Sequence, residues 1–265
     1  MTTSSIKNKI KSLNIFAKAV ISLVFWTGLW YLCALILNNE LILPMPHLII
    51  KSFFALLSKE AFYSSVALSV FRILCGYIAG TVAGAALAAF CVKSAAADVL
   101  FSPVLTIIRA TPVASFIIIT LVLFKTGFIP VITSMLMVVP IVYSQVRVGI
   151  EAIPVSLIET ANIFKLKGSR KLKLLVLPAV KPYFISGSMT AIGLAWKAGI
   201  AAEVLCTPRS SIGRYLYESK LYLETDDMFA WTLTIILISL ALEKLLKYVL
   251  RSSRKNLRGM KGGIE

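Results

Sequence analysis

"ETANIFKLKGSRKLKLLVLP", Glu159 to Pro178, is a polar and strongly basic stretch set between two long apolar tracts. Its reading decides the fold, because a charged segment inside so apolar a chain belongs in a loop beside a membrane rather than within one. The helix implied by "VSLIETANIFK" begins after Pro154, and Leu157, Ala161 and Phe164 fall on one apolar face at i, i+4 and i+7. Gly168-Ser169 permits a turn, and "RKLKLLVLP" supplies a second, basic helix that Pro178 stops as the next apolar tract begins. Two short amphipathic helices held beneath a bilayer make a rigid knob, and its apolar face suits a groove on a partner.

Outward from this stretch, the composition agrees. Of 265 residues 58% are hydrophobic and 15% charged, with a mean hydropathy of +0.86. Soluble domains are roughly half apolar and a quarter charged, so this is a membrane protein. At ~1.5 Å per residue about 20 apolar residues cross the hydrocarbon layer, and a lipid-exposed span must be helical. Six spans emerge, at about 17 to 37, 66 to 92, 101 to 124, 129 to 148, 183 to 205 and 228 to 249, which makes an all-α polytopic fold. The first apolar run, Val20 to Leu37, is too long for a signal peptide and reads as a retained span. Between the first two, "LILPMPHLIIKSFFALLSKEAFYSS" reads as an amphipathic interfacial segment.

The chain carries 28 basic and 12 acidic residues, for a net charge of +16. Nineteen of the basic residues fall beside the termini, the 2/3 loop and the opening stretch, and six on the other side. The positive-inside rule accounts for this excess without nucleic acid and puts both termini in the cytoplasm. Residues 1–43 then hold a cytoplasmic tail and first span, 44–250 a core with its charged loop at about 151–181, and 251–265 a basic, flexible tail.

Enzyme chemistry finds little here. The chain has no phosphate loop, zinc helix or serine elbow, its one histidine, His47, lies near an interface, and Cys33, Cys75, Cys91 and Cys206 are isolated packing residues. No cofactor or metal is called for. Gly76, Gly80 and Gly84 repeat G-x-x-x-G on one face of the second span, for packing within one subunit or between two. Charges inside spans cost ~2.5 to 3.5 kcal/mol each, so Arg109, Lys197, Glu203 and Arg72 should face protein or water. Lys197 and Glu203, six residues apart, point away from each other and need partners elsewhere. Two readings stand: a cation-lined path for an anionic solute, or structural ion pairs and snorkelling.

Glu159-Thr160-Ala161, with Leu177-Pro178 following 18 and 19 residues after the Glu, resembles the EAA loop of ABC importer permeases. Five further segments are similar to that family in order: "LPMPHLIIKSF", "SVFRILCGY", "IIRATP", "GLAWKAGIAAEVL" and "ETDDMFA". Together they point to its nitrate/sulfonate/taurine branch, with a type I importer fold. The sequence departs at Lys165, where the family usually has the turn glycine six residues after the Glu. Either the turn is displaced to Gly168 or Lys165 adopts a left-handed conformation.

The resemblance implies a bacterial cell-membrane subunit working as two copies, with cytoplasmic ATP-binding subunits and an external solute-binding protein, and performing no covalent chemistry itself. It implies docking of the ATPase on Glu159, Thr160, Ala161, Phe164, Lys165 and Gly168, with Pro178 fixing the start of the fifth span. Arg109, Lys197 and Glu203 would form the pathway or its gate. The expected cargo is a small anion such as nitrate, a sulfonate or taurine. The alternatives are an uncharged vitamin precursor carried by the same kind of permease, or a secondary transporter or channel driven by an ion gradient.

Overall fold

The computed structural model describes residues 15–259. It is built of helices, with no strand among the described residues. The helices are α1 (Ile15–Leu37), α2 (Pro46–Leu57), α3 (Glu60–Lys93), α4 (Ala95–Ala110), α5 (Val113–Leu123), α6 (Ile129–Glu151), α7 (Val155–Ile163), α8 (Gly168–Lys171), α9 (Leu177–Cys206), α10 (Ile212–Leu221) and α11 (Thr225–Gly259). The N-terminal tail to residue 14, and the last six residues of the expected basic tail, lie outside the described residues. The last helix itself runs to Gly259, beyond the point where a flexible tail is expected to begin.

Two expectations need correction. The third apolar tract is not one straight span: α4 and α5 meet at a 107° bend. Pro112 supplies no N–H and pushes Thr111 into extended backbone (φ −81°, ψ 131°), so the α4 ladder ends there. The second correction concerns Pro178, which stops nothing. A π-helical turn, Leu172–Val176, joins α8 to α9, and the 39 residues Gly168–Cys206 make one continuous helix. The Leu177 amide reaches back five residues to the Leu172 carbonyl, and the widened turn makes room for a ring that would strike an α-helical carbonyl.

The core is a layer of three helices, α3, α6 and α9, with α6 between the other two. A Cβ added to Gly76, Gly80 or Gly84 would lie 2.3, 2.8 and 2.6 Å from the carbonyl oxygens of Val131, Met135 and Val139. The glycine line of α3 thus rests on a line of α6 backbone, within reach of weak Cα–H···O contacts. Both sets of numbers rise together, so α3 and α6 run parallel. Along α9 the order reverses, with Ser134 donating to the Ala195 carbonyl (3.0 Å) and Gly149 packed against Val180 and Tyr183. Parallel α3 and α6 require the chain between them to return across the layer, so bent α4–α5 together make one crossing. The loop from 152 to 167, the α3–α4 junction and the end of α11 then share one end of the molecule.

At the opposite end α2 lies against α11, where Ser52 donates to Asp227 and Thr225 donates to the Leu41 carbonyl (2.8 Å). Trp231 there stacks between Phe62 and Tyr215, each 5.3 Å away. By contrast α1 lies largely exposed, and it meets the rest near its end through Ala34 and through Trp30, whose ring N–H donates to the Pro44 carbonyl (3.2 Å).

Candidate functional site

The loop between α6 and α9 is built from α7 upward. Pro154 caps α7 with φ already suited to entry, and Val155–Ile163 then runs as helix. At its end the Lys165 amide donates to the Asn162 carbonyl (2.9 Å) and the Leu166 amide to that of Ala161 (2.8 Å). This pair of bonds is the Schellman closure, and it puts Lys165 in the left-handed position, with φ +52°. The turn has therefore not moved. Gly168 is left-handed as well, at φ +54°, and opens the second helix.

The expected apolar face is divided by this geometry. Ala161 turns inward and is 4% exposed, while Leu157 is partly open and Phe164, past the last helical residue, stands out at 73%. Ile163 beside it is 78% exposed, so the tip of the knob is an apolar pair that the helical period alone does not single out. Glu159 and Thr160 are exposed one turn earlier, and the Thr160 hydroxyl donates back to the Ser156 carbonyl (2.7 Å). Pro178 is exposed, about two and a half turns before the buried run that begins near Gly187.

Arg109 lies at the α4–α5 break. Its guanidinium donates to the Pro140 carbonyl (2.7 Å) and borders a cavity of about 370 Å³ that Thr111, Met137 and Leu194 also line. Lys197 is exposed one turn beyond Leu194, on the same side of α9. Glu203 does not join them. It is fully buried and accepts from the Ser69 hydroxyl (2.7 Å) and the Gly213 amide (3.2 Å). The Arg72 guanidinium lies 3.7 Å from its other oxygen and donates to the Arg209 and Ser210 carbonyls. Gly213 has to be glycine for this clamp, since a Cβ there would fall 2.4 Å from the Glu203 Cβ.

The sequence reading did not pair Arg72 with Glu203, although both charges lie inside spans and each needed a partner. Ser69 and Arg72, three residues apart on one helix face, were the available signal. A second network went unread. Asp98 at the start of α4 takes a two-pronged contact from Arg147 near the end of α6, which also reaches Glu151 (2.7 Å) and the Tyr143 hydroxyl (3.0 Å).

Membrane-length helices, a broken span beside a charged cavity and an exposed knob at one end describe a polytopic membrane transport subunit. The chain belongs to the family described as binding-protein-dependent transport system inner membrane component, which matches residues 76–255. It is similar to a putative ABC transporter permease of Methanocaldococcus jannaschii, with 24% identity over 231 residues, covering 83% of this chain and 85% of the relative. The nitrate import permease of Leptolyngbya laminosa is 26% identical over 197 residues (72% and 69% covered). A putative aliphatic sulfonates transport permease of Bacillus subtilis is 23% identical over 192 residues (71% and 68%). This chain is accordingly the membrane-spanning permease of an ABC importer, which works with a separate ATP-binding subunit and a solute-binding protein.

Proposed function

We propose that two copies of this chain form the pathway for a small anion, with both termini and the α6–α9 loop in the cytoplasm of a bacterial cell. The observation that carries the docking part is the apolar tip Ile163-Phe164, raised on a capped helix at the end where the basic loops gather. An ATPase cleft receives this tip and the exposed Glu159 and Thr160. Ala161, Lys165, Gly168 and Pro178 act by shaping the knob and its junction with α9. ATP binding draws the knobs together and turns the spans outward-open, and hydrolysis resets them. In the purified complex Glu159→Arg should abolish solute-stimulated ATP hydrolysis while the permease stays folded; unchanged stimulation would remove the docking role.

The anion reading rests on Arg109, which lines the cavity, on Lys197, exposed one turn along α9 from Leu194 of its lining, and on relatives named for nitrate and sulfonates. Glu203 serves the gate indirectly, by holding the 207–213 turn against α3. A thermal-shift screen of the solute-binding protein that works with this chain checks the cargo. Stabilisation by nitrate or a sulfonate is expected, and a response to neutral solutes alone overturns the anion.

A further inference from the structure

At the loop end of the molecule, α3 and the start of α9 draw apart. Further along they are in close contact, where Gly199 meets Ile73. Nearer the loop a lateral cavity of about 460 Å³ opens between α3, α6 and the helix that runs through the π turn. Ala85 and Ala89 form one wall, Ile150 another, and Val176 and Phe184 a third, with Lys181 the one charged residue on its lining. The two alanines, one turn apart, keep the α3 wall low, and Ala89 is exposed.

Depth fixes what this cavity meets. Lys93 ends α3, and at 1.5 Å per residue Ala89 and Ala85 lie roughly 6 and 12 Å inside it. The hydrocarbon of one leaflet is about 15 Å deep, so the cavity lies beside acyl chains while its rim lies beside headgroups. That rim is basic. Lys93 follows Ala89 by one turn, Lys181 lines the cavity, and Lys173 sits in the π turn.

We infer that this cavity holds an acyl chain of an anionic phospholipid from the leaflet on the loop side, its phosphate drawn to the rim lysines. Basic pockets between membrane helices on the cytoplasmic side suit such headgroups. The inference rests on the orientation given above. A lipid wedged against the π turn would brace the junction through which the knob moves α9, making the permease sensitive to bilayer charge.

The test is native mass spectrometry of the permease–ATPase complex released from vesicles of equal phosphatidylglycerol and phosphatidylcholine. The wild-type complex should retain phosphatidylglycerol preferentially. Lys181→Gln should lower that preference about fivefold, the scale of one basic residue beside an anionic surface. Ala89→Leu, which fills the open wall, should lower retention of both lipids. Equal retention of the two lipids by the wild type, or unchanged retention in Ala89→Leu, overturns the site. So does a cross-link from Ala89→Cys to a second protein chain, which would make the cavity a protein interface. Solute-stimulated ATP hydrolysis, read on the same wild-type preparation, separates loss of this site from failure of the transport reading.

Discussion

The two ends of the helical layer are each tied by an arginine and a carboxylate, and the ties are of opposite kinds. At one end Arg72 and Glu203 join α3 to α9 and to the 207–213 turn, with the carboxylate wholly enclosed. At the other, Arg147 joins α6 to the start of α4 through Asp98, with about a third of both side chains open to solvent. The enclosed tie is rigid because the Glu203 carboxylate has no water to turn to if the pair opens. An open pair exchanges with water at little cost. On the docking proposed above, the end that receives motion from the ATPase carries the tie that yields, and the opposite end carries the tie that holds.

The contrast can be broken most severely at its enclosed side. Glu203→Ala leaves Arg72 and Ser69 facing a void and should destabilise the permease by about 3 to 5 kcal/mol, measured as thermal unfolding in detergent. A loss no larger than that of a surface substitution would show that the clamp does not hold the two helices. Next comes the seam between the ends. Gly76→Ala drives a Cβ into the Val131 carbonyl and should cost about 1 to 3 kcal/mol in the same assay. Lys165→Gly relieves a left-handed lysine and should stabilise the loop by about 1 kcal/mol, seen as slower proteolysis between α7 and α9. Smallest of all is Asp98→Asn. Its effect on unfolding should be slight and should vanish at high salt, whereas that of Glu203→Ala should persist. Equal salt sensitivity at the two ends would erase the distinction.

Much of this arrangement was legible beforehand. Apolar length marked the crossings, four-residue spacing marked the glycine seam, and the departure at Lys165 marked two places for the turn, between which its left-handed backbone decides. What escaped the sequence is non-local. The α4–α5 tract is apolar apart from Arg109, so hydropathy averages smoothly over a bend that one proline creates. Pro178 reads as a helix stop because the rule for prolines assumes an α-helical carbonyl behind the ring, and the π turn removes that carbonyl from its path. Glu203 and Ser69 are 134 positions apart, and helical periodicity carries no information across such a distance. Ala161 and Phe164 separate because α7 ends between them, and a helical wheel assumes that it does not.

The glycine seam also has a mechanical meaning. With a backbone lying directly against a backbone, α3 and α6 have no soft side-chain layer in which to shear, so they bend and translate as a single beam. That beam lies along Val131 to Val139 of α6 and ends beside Pro140, which holds Arg109 at the cavity. On the docking proposed above, a displacement carried along α6 from the knob therefore moves the seam and the cavity wall together, and the stiffness of that wall is set by three missing methyl groups.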